Sequence, residues 1–129
     1  MIKPDDMVYI CSPLSAPTKE ERRANMEQAR NYMQLASQYY CCRAVAPHAY
    51  LPELLDDSVL WERELGLAFG MILLEKCQAL LVCGNRISKG MEDEITRAKR
   101  LDIPVYTLLS NEKTTRLIQG ISARKEAWE

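Results

Sequence analysis

The 129-residue sequence predicts a single α/β domain, in which helices cover both faces of a parallel sheet of about four strands. Short apolar runs alternate with longer helical segments in the order β-α-β-α-β-α-β, and the connections are short. The run Ala79–Cys83 contains no polar residue, which is typical of a central parallel strand. Right-handed crossovers between these elements give the strand order 2-1-3-4. We expect the core over residues 7–108 and a helical tail over residues 109–129.

The composition is that of an ordinary globular protein, with 47 % hydrophobic and 27 % charged residues. A net charge of −1 gives no electrostatic reason to expect nucleic acid or an anionic membrane as partner. The sequence shows no signal peptide and no membrane-length apolar run, so we expect a cytoplasmic protein. The cysteines match no zinc spacing, and there is one histidine. We therefore expect free thiols, no metal and no cofactor.

The first strand is predicted at Met7–Cys11 and the first helix at Lys19–Tyr39. Thr18 and Glu21 form a capping-box pattern at the start of this helix. Arg22, in its first turn, falls on the apolar side. The Arg22 side chain either snorkels to solvent or points at a site at the carboxyl edge of the first strand.

A second strand is predicted at Cys42–Ala46, and Pro47 ends it. His48 then follows at the carboxyl end of that strand. It is either a structural histidine or a ligand contact and proton carrier. Residues 51–58 are predicted to form a solvated acidic loop.

The helix predicted at Val59–Lys76 is apolar nearly all round. Such a helix is buried on two sides, and in so small a domain another copy most easily covers the second side. Gly66 and Gly70, four residues apart, would let another helix approach closely. The pattern predicts a homo-oligomer.

The third strand, Ala79–Cys83, leads through a glycine-containing loop into a helix predicted at Lys89–Leu101, and a fourth strand follows at Val105–Leu108. Glu94 falls on the apolar side of this helix. A carboxylate there is paired, protonated or used by a site, unless it curls out to solvent. Ser88 and Gly90 at the helix N-terminus favour a nearby anionic ligand. Two helical pieces are predicted in the tail, at 111–119 and 122–128.

Ligands of open parallel sheets bind at the carboxyl ends of the strands, where the strand order reverses. In the order 2-1-3-4 this point lies between the first and third strands. The rule brings together residues 12–15, Pro47, His48, residues 84–88 and the start of the third predicted helix. Glu94 is expected at the wall of this site.

The sequence resembles the nucleoside 2-deoxyribosyltransferase superfamily over residues 7–108. The general motifs are Tyr9-Ile-Cys-Ser-Pro13, Asn25, and Ser88-x-Gly-x-x-x-Glu94 with Ala98. A fuller pattern is similar to a small phage and bacterial branch of that superfamily. It comprises Pro47-His-x-Tyr50, Leu54-Leu-Asp-Asp57, Glu62-Arg-x-x-Gly66, Cys77, Gly84, and Ile87-Ser-x-Gly-Met91 followed by Glu94-Ile.

The resemblance implies a flavodoxin/Rossmann-like three-layer sandwich, a homo-oligomer, and chemistry at the N-glycosidic bond of nucleosides or nucleotides. It implies that Glu94 is a nucleophile on the anomeric carbon and that Ser88 contacts a phosphate. Carboxylates are the standard nucleophiles of glycosyl transfer. The resemblance and the sheet topology together select these ligand-contacting residues: Tyr9, Ser12, Pro13, Leu14, Arg22, Asn25, His48, Gly84, Asn85, Ser88, Gly90 and Met91.

Two departures separate the chain from the family pattern. The branch has Cys-Asp before the third strand, whereas this chain has Cys77-Gln78. The helper carboxylates of the enzymes have no clear counterpart, and the candidates by proximity are Asp56, Asp57, Glu62 and Glu64. Three hypotheses therefore stand: an N-glycosidase or 2-deoxyribosyltransferase, a protein that binds or sequesters a nucleotide or nucleotide-derived signal without turnover, and an interaction module.

Overall fold

The computed structural model describes residues 1–108 and contains one parallel sheet of four strands. The strands are β1 (Met7–Cys11), β2 (Arg43–Val45), β3 (Ala79–Cys83) and β4 (Val105–Leu108), in the spatial order β2-β1-β3-β4. The predicted order 2-1-3-4 is therefore confirmed. The tail predicted over residues 109–129 lies outside the described residues.

The helices are α1 (Lys19–Tyr40), α2 (Leu51–Leu54), α3 (Leu60–Glu75) and α4 (Lys89–Arg100), and a 3-10 helix spans Pro47–Ala49. The three long helices agree with the prediction to within one residue at each end. The prediction of a continuous loop over residues 51–58 was wrong, because the first four of these residues form α2. Its second residue is a proline, which the first turn of a helix accommodates.

Hydroxyl caps fix where two of the long helices begin. The Thr18 hydroxyl accepts a hydrogen bond from the Glu21 backbone N–H at 3.1 Å, and the Ser88 hydroxyl accepts one from the Met91 N–H at 3.3 Å. Each cap satisfies a backbone donor that has no partner within its helix. Ser88 therefore places the start of α4 directly after the loop that leaves β3.

The sheet separates two apolar cores, and alternate residues of β1 contribute to each. Val8 and Ile10 point to the face covered by α1. Tyr9 and Cys11 point to the opposite face, which α3 and α4 cover. Side chains alternate between the two faces along a strand. Residues that are neighbours in sequence therefore pack in different cores.

The glycines of α3 face the interior of their own chain. A Cβ atom added at Gly66 would lie 3.4 Å from Cδ1 of Leu55, and one added at Gly70 would lie 3.5 Å from the hydroxyl oxygen of Tyr9. The expectation that these glycines admit a helix of another copy was wrong. A Cβ at either position would point at residues of its own chain at ordinary contact distance.

The five cysteines are all free, with Cys41 exposed and the other four buried. The expectation of buried free thiols agrees with the structure at four cysteines and was wrong in burial for Cys41, which follows the end of α1 at the surface. Among residues 1–108, no helix has the length and apolar character needed to cross a membrane.

Candidate functional site

Glu94 lies in the second turn of α4, on the side of that helix that packs against the sheet. Met91 and Ala98 on the same side are fully buried, and the Glu94 side chain is half-buried. Because α4 starts immediately after the loop that follows β3, its second turn stays near the carboxyl edge of the sheet. Leu101, the residue that follows the last turn of α4, is exposed.

Two side chains of β1 surround the Glu94 carboxylate. The Tyr9 phenol donates a hydrogen bond to it. The Cys11 sulfur lies 3.8 Å from Oε1 of Glu94 and 3.8 Å from the carbonyl oxygen of Met91. Tyr9 and Cys11 are two residues apart on one strand and therefore share a face. The Tyr9 hydroxyl lies next to Gly70 of α3.

The environment of Glu94 makes its protonation sensitive to pH near neutrality. Burial raises the pKa of Glu94 from 4.5 to about 7. The hydrogen bonds from Tyr9 and Cys11 act in the opposite direction, and the nearby charge of Asp93 raises the pKa further. A carboxyl group with this pKa can serve as a nucleophile when ionised and as an acid when protonated.

Both donors to Glu94 remain protonated at neutral pH. Burial and then the negative charge of Glu94 raise the pKa of Tyr9 far above its usual range. The same two causes, in the same order, raise the pKa of the Cys11 thiol. Cys11 is therefore a hydrogen-bond donor to the carboxylate and not a thiolate nucleophile.

A second polar pair lies at the carboxyl ends of β1 and β2. The Ser12 hydroxyl and Nε2 of His48 are 2.9 Å apart. Ser12 is only 4 % exposed, and burial lowers the pKa of His48 from 6.5 to about 4. His48 is therefore neutral at physiological pH and offers one donor and one acceptor nitrogen. The structure thus brings together two predicted site residues that are 36 positions apart.

A small cavity lies beside this pair, on the face of the sheet that α1 covers. Its volume is about 110 Å³. It is lined by Ser12, Pro13, Asn25, Gln28, Tyr32, Gly84, Asn85 and Arg86. A wider cleft of about 480 Å³ adjoins it through Asn25 and Arg86 and runs along residues 15–17 and the start of α1. Polar side chains make up much of this lining.

The loops around the cavity are held by specific contacts. Nδ2 of Asn25 donates to the carbonyl oxygen of Leu14 at 3.0 Å, and Nη2 of Arg86 donates to that of Ser15 at 3.1 Å. Gly84 has a φ of 103°, and a Cβ there would lie 3.2 Å from Cδ of Pro13. The close approach of the loops after β1 and β3 therefore depends on a glycine at position 84.

The N-terminus of α4 is open to solvent. A Cβ added at Gly90 would meet no atom within 4 Å. The backbone N–H of Ser88 points at the sulfur of Met91, 3.4 Å away, and the Ser88 hydroxyl keeps its own proton free to donate while it caps the helix. These groups favour an anion at this point.

Arg22 lies away from Glu94, in an ion pair with Asp57. Nη2 of Arg22 is 2.5 Å from Oδ2 of Asp57. Asp56 accepts hydrogen bonds from the backbone N–H and hydroxyl of Ser58 at 2.9 and 2.6 Å. Two of the four candidate helper carboxylates therefore already have partners, Asp57 in Arg22 of α1 and Asp56 in Ser58.

The predicted residues thus form two groups. Tyr9, Met91 and Glu94 lie on the α3 and α4 face, whereas the cavity on the other face is lined by Ser12, Pro13, Asn25, Gly84 and Asn85. Glu94 lines neither the cavity nor the cleft. The two groups meet where Cys11 and Ser12 adjoin in the chain.

Three residues around these groups were not predicted. Cys11 could have been found from its two-residue spacing from Tyr9. Gln28 and Tyr32 could have been found from their spacing of three and seven residues from Asn25, which places them on one face of α1.

The fold and these groups define a small flavodoxin-like α/β domain with a half-buried carboxylate near the carboxyl edge of its sheet. The chain belongs to the family described as Domain of unknown function (DUF7768), whose model matches residues 6–108. No curated protein matches the chain in sequence.

The fold is similar to that of a 2-deoxyribosyltransferase from the psychrotolerant bacterium Bacillus psychrosaccharolyticus, described as a biocatalyst for nucleoside synthesis. The TM-score is 0.60 at 14 % sequence identity, and the alignment covers 85 % of this chain and 80 % of the other. At this identity the likeness shows the fold alone. The predicted fold relationship is confirmed, and the assignment to a phage and bacterial branch stays a prediction.

Proposed function

We propose that this protein acts on the N-glycosidic bond of a nucleoside or nucleotide, with Glu94 as the nucleophile. The observation that carries the proposal is the half-buried Glu94 carboxylate, which receives hydrogen bonds from Tyr9 and Cys11. Holding a half-buried carboxylate whose pKa is raised to about 7 costs the fold stability, and groups with pKa values raised in this way cluster at functional sites. The similarity of the fold to a 2-deoxyribosyltransferase supports the same class of substrate.

In the proposed reaction, the ionised Glu94 attacks the anomeric carbon while the bond from that carbon to the base nitrogen breaks. The base leaves with the bonding electron pair and takes up a proton. The resulting glycosyl ester is then attacked at the same carbon, either by water in a hydrolase or by a nitrogen of a second base in a transferase. The second step releases the Glu94 carboxylate.

The other residues have supporting parts in this proposal. Tyr9 and Cys11 hold the carboxylate in one orientation, since both are protonated donors. The Ser88 hydroxyl and the N–H groups at the start of α4 would bind a phosphate or a ribose hydroxyl. The neutral pair of Ser12 and His48 offers both donors and acceptors to a sugar or base.

A binding protein without turnover is the second candidate function. It is favoured by the engagement of Asp57 with Arg22 and of Asp56 with Ser58, because this leaves two candidate helper carboxylates occupied. It is also favoured by the position of Glu94 outside the cavity that lies beside Ser12 and His48. An interaction module is less well supported, since it gives no reason for a half-buried Glu94.

The test is a chromatographic assay for free base from a panel of deoxynucleosides and their 5′-monophosphates, with and without a second base as acceptor. The matched control is Glu94→Gln, which keeps the shape of the side chain and replaces the nucleophilic carboxylate by a neutral, weakly nucleophilic amide. Release or exchange of base by the native protein and not by Glu94→Gln supports the enzyme. Ligand that is retained by the protein and recovered unchanged after denaturation supports the binder. No release and no retention would eliminate both.

A further inference from the structure

The cavity on the α1 face of the sheet is lined by a buried hydroxyl that has a proton to donate. Tyr32 of α1 is only 6 % exposed, and its hydroxyl oxygen accepts a hydrogen bond from the Gln28 carboxamide. Burial raises the pKa of Tyr32, so the hydroxyl keeps its proton at neutral pH. Among residues 1–108 this proton has no acceptor, and the hydroxyl lies 3.8 Å from where a Cβ atom at Gly84 would be. A ligand in the cavity can therefore accept it.

Other polar groups in the lining also have unused hydrogen-bonding capacity. The buried Ser12 hydroxyl is paired with His48, and a hydroxyl can make further hydrogen bonds. Asn25 donates one N–H to the carbonyl oxygen of Leu14, whereas its Oδ1 accepts from no residue in the described part of the chain. A carboxamide holds a donor beside an acceptor, and it therefore pairs with a ligand that presents the same two groups side by side.

The charges and the volume favour a small neutral ligand. Arg86 is the one charged residue of the cavity lining, and it already donates to the carbonyl oxygen of Ser15 at 3.1 Å. Glu21 lines the adjoining cleft, so the surroundings offer an anion little net attraction. A cavity of about 150 Å³ accommodates a six-membered ring. The cavity here has about 110 Å³ and opens toward a cleft of about 480 Å³, which leaves room for one ring with small substituents.

We propose that this cavity is a second ligand site, separate from Glu94, and that it binds a small neutral ring with an imide group. This is the chemistry of a free pyrimidine base such as uracil. The imide presents carbonyl oxygens to the hydroxyls of Tyr32 and Ser12 and an N–H to Oδ1 of Asn25. A molecule bound there is an effector and not the reactant, because Glu94 lines neither the cavity nor the cleft. The proposal is independent of the reaction assigned to Glu94.

The experiment is a nuclear magnetic resonance titration of the ¹⁵N-labelled full chain with uracil at millimolar concentration. We expect the side-chain amide signals of Asn25 and Gln28 to shift and to saturate. Glu94→Gln should give the same titration, so this result does not depend on whether the protein cleaves a glycosidic bond. Pyrimidine has the same ring without carbonyl or N–H groups, and it is expected to bind at least about ten-fold more weakly.

A matched pair of variants tests the part of the Tyr32 hydroxyl. Tyr32→Phe is expected to weaken uracil binding about ten-fold, because a ligand carbonyl loses its donor. Tyr40→Phe removes a hydroxyl from the same helix and the same core, but Tyr40 does not line the cavity. We expect it to leave the affinity unchanged.

2′-Deoxyuridine separates a free base from a base that carries a sugar. Shifts of the same signals of Asn25 and Gln28 with this nucleoside would place its sugar in the cleft. Shifts with uracil alone would restrict the site to the free base. Either result agrees with an imide site in the cavity.

Three results would overturn the proposal. One is the absence of saturable shifts with uracil, as expected if the cavity holds only water. Another is binding that Glu94→Gln abolishes, and the third is equal affinity for uracil and pyrimidine. If Tyr32→Phe fails to fold, the native protein decides: nuclear Overhauser effects are expected between the ring protons of uracil and those of Tyr32, and their absence refutes the site.

Discussion

Replacing Glu94 by glutamine is expected to stabilise the protein, and the gain is expected to grow with pH. Burial raises the pKa of Glu94 from 4.5 to about 7. Between these two pH values the unfolded chain has lost the proton that the folded protein still holds. The folded protein therefore disfavours the ionised form of Glu94. As a result, the free energy of unfolding of the native protein falls as pH rises from about 4.5 to about 7.

The size of the effect follows from the pKa difference. Each unit of pKa corresponds to about 1.4 kcal/mol, so the full difference corresponds to roughly 3 kcal/mol. Because the Glu94 side chain is only half-buried and solvent screens part of its charge, we expect about 2 kcal/mol. Glutamine keeps an acceptor oxygen for Tyr9 and Cys11 and carries no charge.

The assay is urea unfolding followed by circular dichroism, at fixed protein concentration and at several pH values from 4.5 to 8.5. The difference in unfolding free energy between Glu94→Gln and the native protein should be near zero at pH 4.5 and about 2 kcal/mol above pH 7.5. Glu92→Gln is the matched control. It removes an exposed acid from the first turn of the same helix and should give no such gain.

A difference that is independent of pH, or one that falls as pH rises, would refute the reasoning. It would mean that the folded protein accommodates the Glu94 charge as well as water does. The physical argument for a strained, reactive carboxylate would then be lost.

Three further predictions concern the hydrogen bond from Tyr9, the backbone at two glycines, and the protonation of His48. Tyr9→Phe removes a hydrogen bond to a charged group, which is worth about 1.5–3 kcal/mol. The pKa of Glu94 should therefore rise by at least about one unit above its value of about 7, which ¹³C NMR can follow. An unchanged pKa contradicts this. Gly84→Ala should lower the free energy of unfolding by about 1–3 kcal/mol, because Gly84 has a φ of 103°. Gly90→Ala, within a helix, should raise it by up to about 1 kcal/mol. Urea unfolding measures both changes, and equal effects would contradict the different backbone conformations of the two glycines. Burial lowers the pKa of His48 to about 4, so the unfolded chain takes up a proton at this residue first as pH falls from 6.5, and native stability drops over that range. His48→Asn should therefore shift the midpoint of acid unfolding to lower pH. An unchanged midpoint would count against a half-buried histidine that stays neutral in the folded protein.

Much of the fold was predictable because local patterns determine it. The sheet order and the bounds of the long helices agree with the structure, since they follow from apolar periodicity, capping residues and right-handed crossovers. The helical segments at Pro47–Ala49 and Leu51–Leu54 were missed. Such short turns have too few residues to show a period, so their sequence resembles that of a loop.

The candidate site was predictable in part. The helical period of α4 correctly indicates that Glu94 faces inward, because the direction of a side chain is fixed relative to its own helix. The role of Cys11 beside it was not predicted. Arg22 likewise could not be assigned from its helix alone, because its ion pair is with Asp57, 35 residues away.

The sequence by itself determined the order of the elements, the start of each long helix and the side of α4 on which Glu94 lies. The tertiary structure alone decided which groups meet. It placed Tyr9 and Cys11 against Glu94, turned Gly66 and Gly70 toward their own chain, and put the cavity on the opposite face of the sheet. The reason is physical: periodicity orients a side chain within its own element, whereas contacts between elements depend on how far each is rotated and shifted against its neighbours.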